Sequence, residues 1–100
     1  MRVVFMGTPE FAATILRQIN EQHQVVAVYT RPDAIRGRGN ALVPSPVKSA
    51  ALELELPVFC PASLKDIEEQ ERLRSFEADI LVVAAYGALL PRAVIDAARF

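Results

Sequence analysis

The basic side chains of this sequence are not evenly spread. The segment RPDAIRGRGNALVPSPVK carries Arg31, Arg36, Arg38 and Lys48 against Asp33 alone, a local charge of +3. The rest of the chain holds seven basic and eleven acidic residues, so positive charge is concentrated here although the whole chain is at −1. Gly37 and Gly39 flank Arg38 and give its guanidinium unobstructed reach. Connections longer than ~12–15 residues without regular structure are uncommon in compact domains and often functional. A basic loop of this kind suits contact with the phosphate backbone of RNA. A solvated loop with incidental arginines is the competing explanation, and the residues alone leave it open.

The second stretch with chemical potential is ILVVAAYGALL, Ile80 to Leu90, bracketed by Asp79 and Pro91. It is uncharged and does not alternate, which suits a strand covered on both faces of a parallel sheet. Tyr86-Gly87 break the run, and Ala88, Leu89 and Leu90 follow. Ligands of open parallel sheets bind at the carboxyl ends of strands, so this exit is a candidate ligand site. Ordinary core packing of Ala88 to Leu90 remains the alternative. Gly7-Thr8-Pro9-Glu10 does not make a dinucleotide cradle. It holds one glycine where three are needed, Pro9 has no N–H to donate, and Glu10 places negative charge where an anion would sit. Gly7 and Thr8 are expected to line a cleft shared with the later strand exit.

Other chemistry is poorly supplied. His23 is the only histidine and stands in a polar turn; Cys60 is the only cysteine. That excludes a disulfide framework and leaves no metal-ligand cluster. No Ser-His-Asp set and no paired carboxylates can be argued, and the acids and bases from Glu68 to Arg74 read as a solvated helix face. A pI near 5.8 argues against a uniformly basic nucleic-acid binder, and DNA is not an expected partner. No segment reaches the ~20 apolar residues needed to span a membrane, and MRVVFMGTPEF is no secretory signal, so a soluble cytoplasmic protein is expected.

Elements that would position these stretches follow from pattern. Arg2 to Met6 reads as a buried strand. Thr8 as N-cap and Pro9 at the first helical position open a helix to Asn20, with Phe11, Ala12, Ile15, Leu16 and Ile19 as its stripe. Val25 to Tyr29 is a second strand, and Thr30 to Pro44 a long irregular loop. Ser45 caps a second helix with Val47, Ala50, Ala51 and Leu54 inward; Val58-Phe59 is a short strand between prolines. Ser63 with Asp66 three residues on suggests a capping box opening a third helix through about Phe76. The uncharged run is the fourth strand, and Pro91 to Ala98 a last helix. Alternation of strand and helix predicts an α/β, doubly wound, Rossmann-like and mainly parallel sheet with helices on both faces. The pattern is truncated after about four strands, as expected of the first portion of a larger domain.

These residues match a known family. Phe5-Met6-Gly7-Thr8-Pro9-Glu10-Phe11, Pro32-Asp33 leading to Gly37-Arg38-Gly39, Pro44-Ser45-Pro46-Val47-Lys48, and Ala85-Tyr86-Gly87 with Leu90-Pro91 together resemble the N-terminal part of methionyl-tRNA formyltransferase over the whole chain. Gly7-Thr8-Pro9 discriminates little; the glycine-flanked arginine followed in register by Pro44 to Lys48 discriminates well.

The resemblance implies transfer of a formyl group from 10-formyltetrahydrofolate, as co-substrate, to the amino group of methionine on initiator tRNA, in translation initiation. It implies a folate-binding segment at Tyr86, Gly87, Ala88, Leu89 and Leu90, with tRNA bound by Arg36, Arg38 and Lys48. Asn40-Ala41 stand where relatives often carry lysines. The family's catalytic Asn-x-His-x-Ser-Leu-Leu-Pro segment, its later aspartate and its C-terminal tRNA-binding domain have no counterpart in residues 1–100, and His23 does not match the family histidine. No catalytic residue and no metal are therefore assigned, and the 100 residues alone are expected to be inactive. A non-catalytic folate- or RNA-binding module, or a related formyltransferase or hydrolase with another substrate, are the alternatives.

Overall fold

The computed structural model describes residues 1–35, 39 and 41–98. Arg36 and Arg38, two of the three residues expected to meet tRNA, lie outside the described residues, as do Gly37 and Asn40.

Strand β1 (Arg2–Gly7) is buried from Val3 onward, because it is the inner strand next to the sheet's edge strand and both its faces are covered. Val3 and Phe5 face one layer; Val4 and Met6 face the other. Helix α1 (Glu10–Gln22) leads to β2 (Gln24–Tyr29), which pairs parallel with β1. The register slips between Val3 and Val4, where Val25 and Ala27 are the successive partners. This extra residue puts Val25 and Val28 on one face despite their odd spacing, and Ala27 and Tyr29 on the other. A short antiparallel ladder follows, β3 (Ala34–Ile35) with β4 (Leu42–Val43). Helix α2 (Pro46–Glu53), strand β5 (Val58–Phe59), helix α3 (Ile67–Ser75), strand β6 (Ile80–Ala84) and a single turn of helix α4 (Arg92–Ile95) complete the order.

The main sheet runs β5-β2-β1-β6, every pair parallel. The chain moves outward from β1 to β2 to β5, then crosses back to lay β6 on the opposite side of β1. Helices α1 and α2 pack with Val3, Phe5, Val25 and Val28 through Ala12, Leu16, Val47 and Ala51. Leu73 of α3 and Val94 of α4 pack on the other face with Val4, Met6, Ala27 and Tyr29. This is the doubly wound α/β arrangement expected from the pattern. Each fully buried Val, Leu, Met or Phe contributes about 1.5–3 kcal/mol.

Five local expectations change. Pro9, not Thr8, is the N-cap of α1 and provides no side-chain cap; the Thr8 hydroxyl is engaged elsewhere. Phe11 is 58% exposed, because Ala12, Leu16 and Ile19 define the inward stripe and Phe11 stands one residue off it. Residues 30–44 are not wholly irregular, since β3 and β4 pair within them. Asp66 caps α3 by accepting from the Glu68 amide, while Ser63 accepts from the Lys65 amide in a turn of its own. Finally, β6 is half-buried and Val83 is 45% exposed, because β6 is an edge strand among the described residues. The last helix is also shorter than Pro91 to Ala98, one turn instead of two.

Both α2 and α3 terminate through a glutamate in the left-handed region, Glu55 at φ 58° and Glu77 at φ 50°. After α2, the Leu56 amide donates to the Ala51 carbonyl (2.9 Å) and the Glu55 amide to the Leu52 carbonyl (3.1 Å), a Schellman pattern that ordinarily takes glycine. Glu55→Gly and Glu77→Gly are each expected to raise stability by about 0.5–1 kcal/mol, since the residue loses its Cβ clash there. Chemical denaturation of the two variants and the double variant checks this, with near-additive gains expected from well-separated sites.

Candidate functional site

The reversal of strand order between β1 and β6 is the topological switch point of this sheet, and crevices beyond strand ends at such points take ligands. Two strand exits meet there. Gly7 ends β1 opposite Ala84, the end of β6. A Cβ on Gly7 would lie 2.8 Å from the Ala84 carbonyl oxygen and 2.9 Å from both Ala12 Cβ and Phe5 Cε2. The missing side chain is what lets β1, β6 and the start of α1 close up. Gly7 is thus buried in the seam beneath the crevice, and Thr8, half-buried, stands above it.

Thr8 joins the two exits. Its hydroxyl donates to the Tyr86 carbonyl at 2.7 Å, a bond between residues 78 apart in sequence. Its own carbonyl accepts from the Val47 amide at 3.3 Å, which brings the N-terminus of α2 to the same place. Ser45 caps α2, as its type and position predict, by accepting from the Lys48 amide at 3.0 Å. Its hydroxyl also pairs with the Thr30 hydroxyl at 2.6 Å, both residues being fully buried. The Pro44 to Lys48 motif therefore binds the exits of β1 and β2 to the start of α2.

At the β6 exit, Ala85 has φ 54° and Gly87 φ 89°. Two left-handed residues around Tyr86 swing the chain sharply, so Tyr86 is 2% exposed in the core and Leu89 is 72% exposed. Ala88 and Leu90 are half-buried. Gly87 offers open backbone on one side, and the nearest atom a Cβ there would meet is Arg31 Cγ at 3.7 Å. A bare glycine backbone beside Ala88, Leu89 and Leu90 fits a flat heteroaromatic ring that needs main-chain hydrogen bonds and apolar walls.

The Tyr86 side chain lies beneath this exit with Tyr29, Met6 and Leu64. Neither tyrosine hydroxyl has a hydrogen-bond partner among the described residues. Burial pushes the Tyr29 phenol up to about 12, helped by Glu69. Burial also raises Tyr86, while the nearby Arg31 guanidinium pulls the other way. Phe59 stacks between Tyr29 and Phe76 at 5.4 and 5.7 Å between ring centroids, and the Arg72 guanidinium sits 4.8 Å over its ring. The α3 face is thus not wholly a solvated one.

Lys48, the described member of the expected tRNA-contacting set, pairs with Asp33 at 3.0 Å across the loop. That bond and charge raise its pKa, so it is a cation at any physiological pH. Cys60 is half-buried, and burial raises its thiol above its ordinary value. His23 ends α1 as an exposed turn residue, as its surroundings in sequence suggest. Among the described residues no group of three His, Cys, Asp or Glu side chains could hold a metal ion. No described helix is long and apolar enough to cross a membrane. An apolar indentation lined by Val4, Leu73, Leu81 and Val94 lies away from the strand exits; it has no polar group to orient a ligand and reads as a packing seam.

Comparison with known proteins agrees with this geometry. The family model described as formyl transferase matches residues 1–100. A methionyl-tRNA formyltransferase of Chromohalobacter salexigens is 56% identical over 100 residues, covering 99% of this chain and 31% of the relative. That of Methylococcus capsulatus is 55% identical over 101 residues, covering 100% and 33%. That of Idiomarina loihiensis is 56% identical over 97 residues, covering 96% and 31%. The chain spans about a third of the length of these relatives. With the family model matched from the first residue to the last and more than half the positions shared with such relatives, the chain belongs to the formyl transferase family.

Proposed function

We propose that this chain is the N-terminal third of an enzyme that moves the formyl group of 10-formyltetrahydrofolate to the amino group of methionine on initiator tRNA. The observation that carries the proposal is the close identity to methionyl-tRNA formyltransferases along the whole chain, with the Thr8-bonded exit at Tyr86 and Gly87 as its structural counterpart. In this reading Tyr86 to Leu90 hold the pterin ring. Gly87 exposes backbone donors and acceptors, and Leu89 with Leu90 supplies apolar walls. Folate supplies the formyl group when bound. This part of the chain contributes binding and orientation, which bring the donor's carbonyl within reach of the incoming amine. The base that takes the amine's proton and the donor that stabilises the developing oxyanion belong to residues beyond Phe100. Residues 1–100 by themselves are expected to catalyse nothing.

Transfer RNA would enter along the basic segment, with Arg36, Arg38 and Lys48 as its contacts. The site of action is the cytoplasm, where initiator tRNA is charged. Steady-state formylation by the full-length enzyme tests the reading. Methionyl initiator tRNA is expected to be formylated with a kcat/KM far above that of an amino-sugar nucleotide. Arg38→Ala should weaken tRNA binding across sequences and flatten its salt dependence by about one unit of slope. Formylation of the sugar nucleotide in preference to tRNA, or tRNA affinity untouched by Arg38→Ala, contradicts it.

A further inference from the structure

Arg31 stands directly after the β2 exit, between two other exits of the same sheet. Its Nη1 donates to the Ala62 carbonyl at 3.2 Å, in the segment that follows β5. Its aliphatic stem lies on the side of Gly87 where a side chain would project, with Cγ 3.7 Å and Cδ 4.0 Å from that point. Its guanidinium faces Tyr86 closely enough to oppose the effect of burial on that phenol. Arg31 thus touches the exits of β5 and β6 while being anchored on that of β2. Thr8 performs the equivalent service from β1, through its bond to the Tyr86 carbonyl.

The turn that these two residues hold is one that needs holding. Ala85 in the left-handed region costs about 1 kcal/mol or more, because its Cβ crowds the backbone there. The exit sits on an edge strand, and Leu89 beyond it is 72% exposed, so packing alone does little to fix it. A site built from backbone groups binds well only if that backbone is already in place.

We propose that Arg31 is a positioning residue of the folate segment: with its head on Ala62 and its stem along Gly87, it braces Tyr86 to Leu90 in the conformation that receives the pterin ring. This rests on the assignment of that segment to folate. Arg31 touches the binding segment from behind and takes no part in formyl transfer.

The test is kinetic, on the full-length enzyme, with Arg31→Ala, Arg31→Lys and Gly87→Val. Arg31→Ala is expected to raise the KM for 10-formyltetrahydrofolate roughly tenfold, because the ordering of the turn then falls to the ligand. Its kcat and its KM for methionyl-tRNA are expected to stay within about twofold of the parent. Arg31→Lys should recover most of the loss, since a lysine stem can lie along Gly87 and its ammonium can reach the Ala62 carbonyl. Gly87→Val should raise the folate KM by more than either. If Gly87→Val does so and Arg31→Ala does not, the bracing role is wrong and the folate site stands. If Gly87→Val leaves the folate KM unchanged, the folate site itself is wrong. A change in the tRNA KM alone would make Arg31 a phosphate contact and overturn the proposal, as would a failure of lysine to rescue.

Discussion

Gly7→Ala is expected to destabilise this domain by about 3 kcal/mol, at the upper end for overpacking. Three atoms stand within 3.0 Å of the added methyl, and one is the Ala84 backbone carbonyl, which cannot turn aside. The β1–β6 ladder must separate or α1 must lift, and either opens the seam under the crevice. For a domain of this size the melting temperature should fall by on the order of 15 °C. Thermal denaturation of the variant measures this directly. A drop of less than a few degrees would mean that β1 and β6 are not packed as tightly as the Ala84 contact requires. Gly87→Ala offers the contrast: it meets only the Arg31 stem at 3.7 Å, so its penalty is the positive φ alone, about 1 kcal/mol.

Alkaline pH should weaken the fold through its two tyrosines. The folded structure favours the neutral phenol, and Tyr29 titrates near 12 instead of the ordinary 10. Stability from this source is therefore complete below pH 10 and is lost as pH rises from 10 toward 12. A shift of this size corresponds to a loss on the order of 2–3 kcal/mol by the upper end of the window, with a smaller contribution from Tyr86. Ultraviolet titration is expected to show both tyrosines ionising above pH 10, with a sharp rise in phenolate as the chain unfolds. Tyr29→Phe should flatten the alkaline loss without lowering stability at neutral pH, because it removes a buried hydroxyl that has no partner among the described residues. Ordinary titration at pH 10 for both groups would contradict the burial seen here.

Features set by local chemistry were legible in the sequence. Ser45 before Pro46 reads as a cap and is one. Val58-Phe59 between prolines reads as a strand too short to be anything else, and pairs with β2. The alternation of strands and helices carried the parallel sheet. What escaped are choices made by partners far away in sequence. Thr8 has every local mark of an N-cap, yet its hydroxyl bonds to Tyr86, and no pattern within its own helix records that. Ser63 and Asp66 are both capable caps, and the backbone turn chose Asp66. The run from Ile80 to Leu90 shows how apolar β6 is, but not what covers it. Of the site, the Tyr86-Gly87 break was visible as a run interrupted by glycine. Arg31 was read only as one charge among four, because its contacts with Ala62 and Gly87 bring together segments that are about thirty and more than fifty residues apart.

The central claim is that the crevice between the β1 and β6 exits receives the formyl donor through the backbone of residues 86–90. Amide hydrogen exchange of the full-length enzyme, with and without 10-formyltetrahydrofolate, tests it most directly. Slowed exchange at Gly87 to Leu90 on adding folate, with β3 and β4 unchanged, is the expected result. Unchanged exchange at those amides, while another segment becomes protected, would place the donor elsewhere and contradict the account.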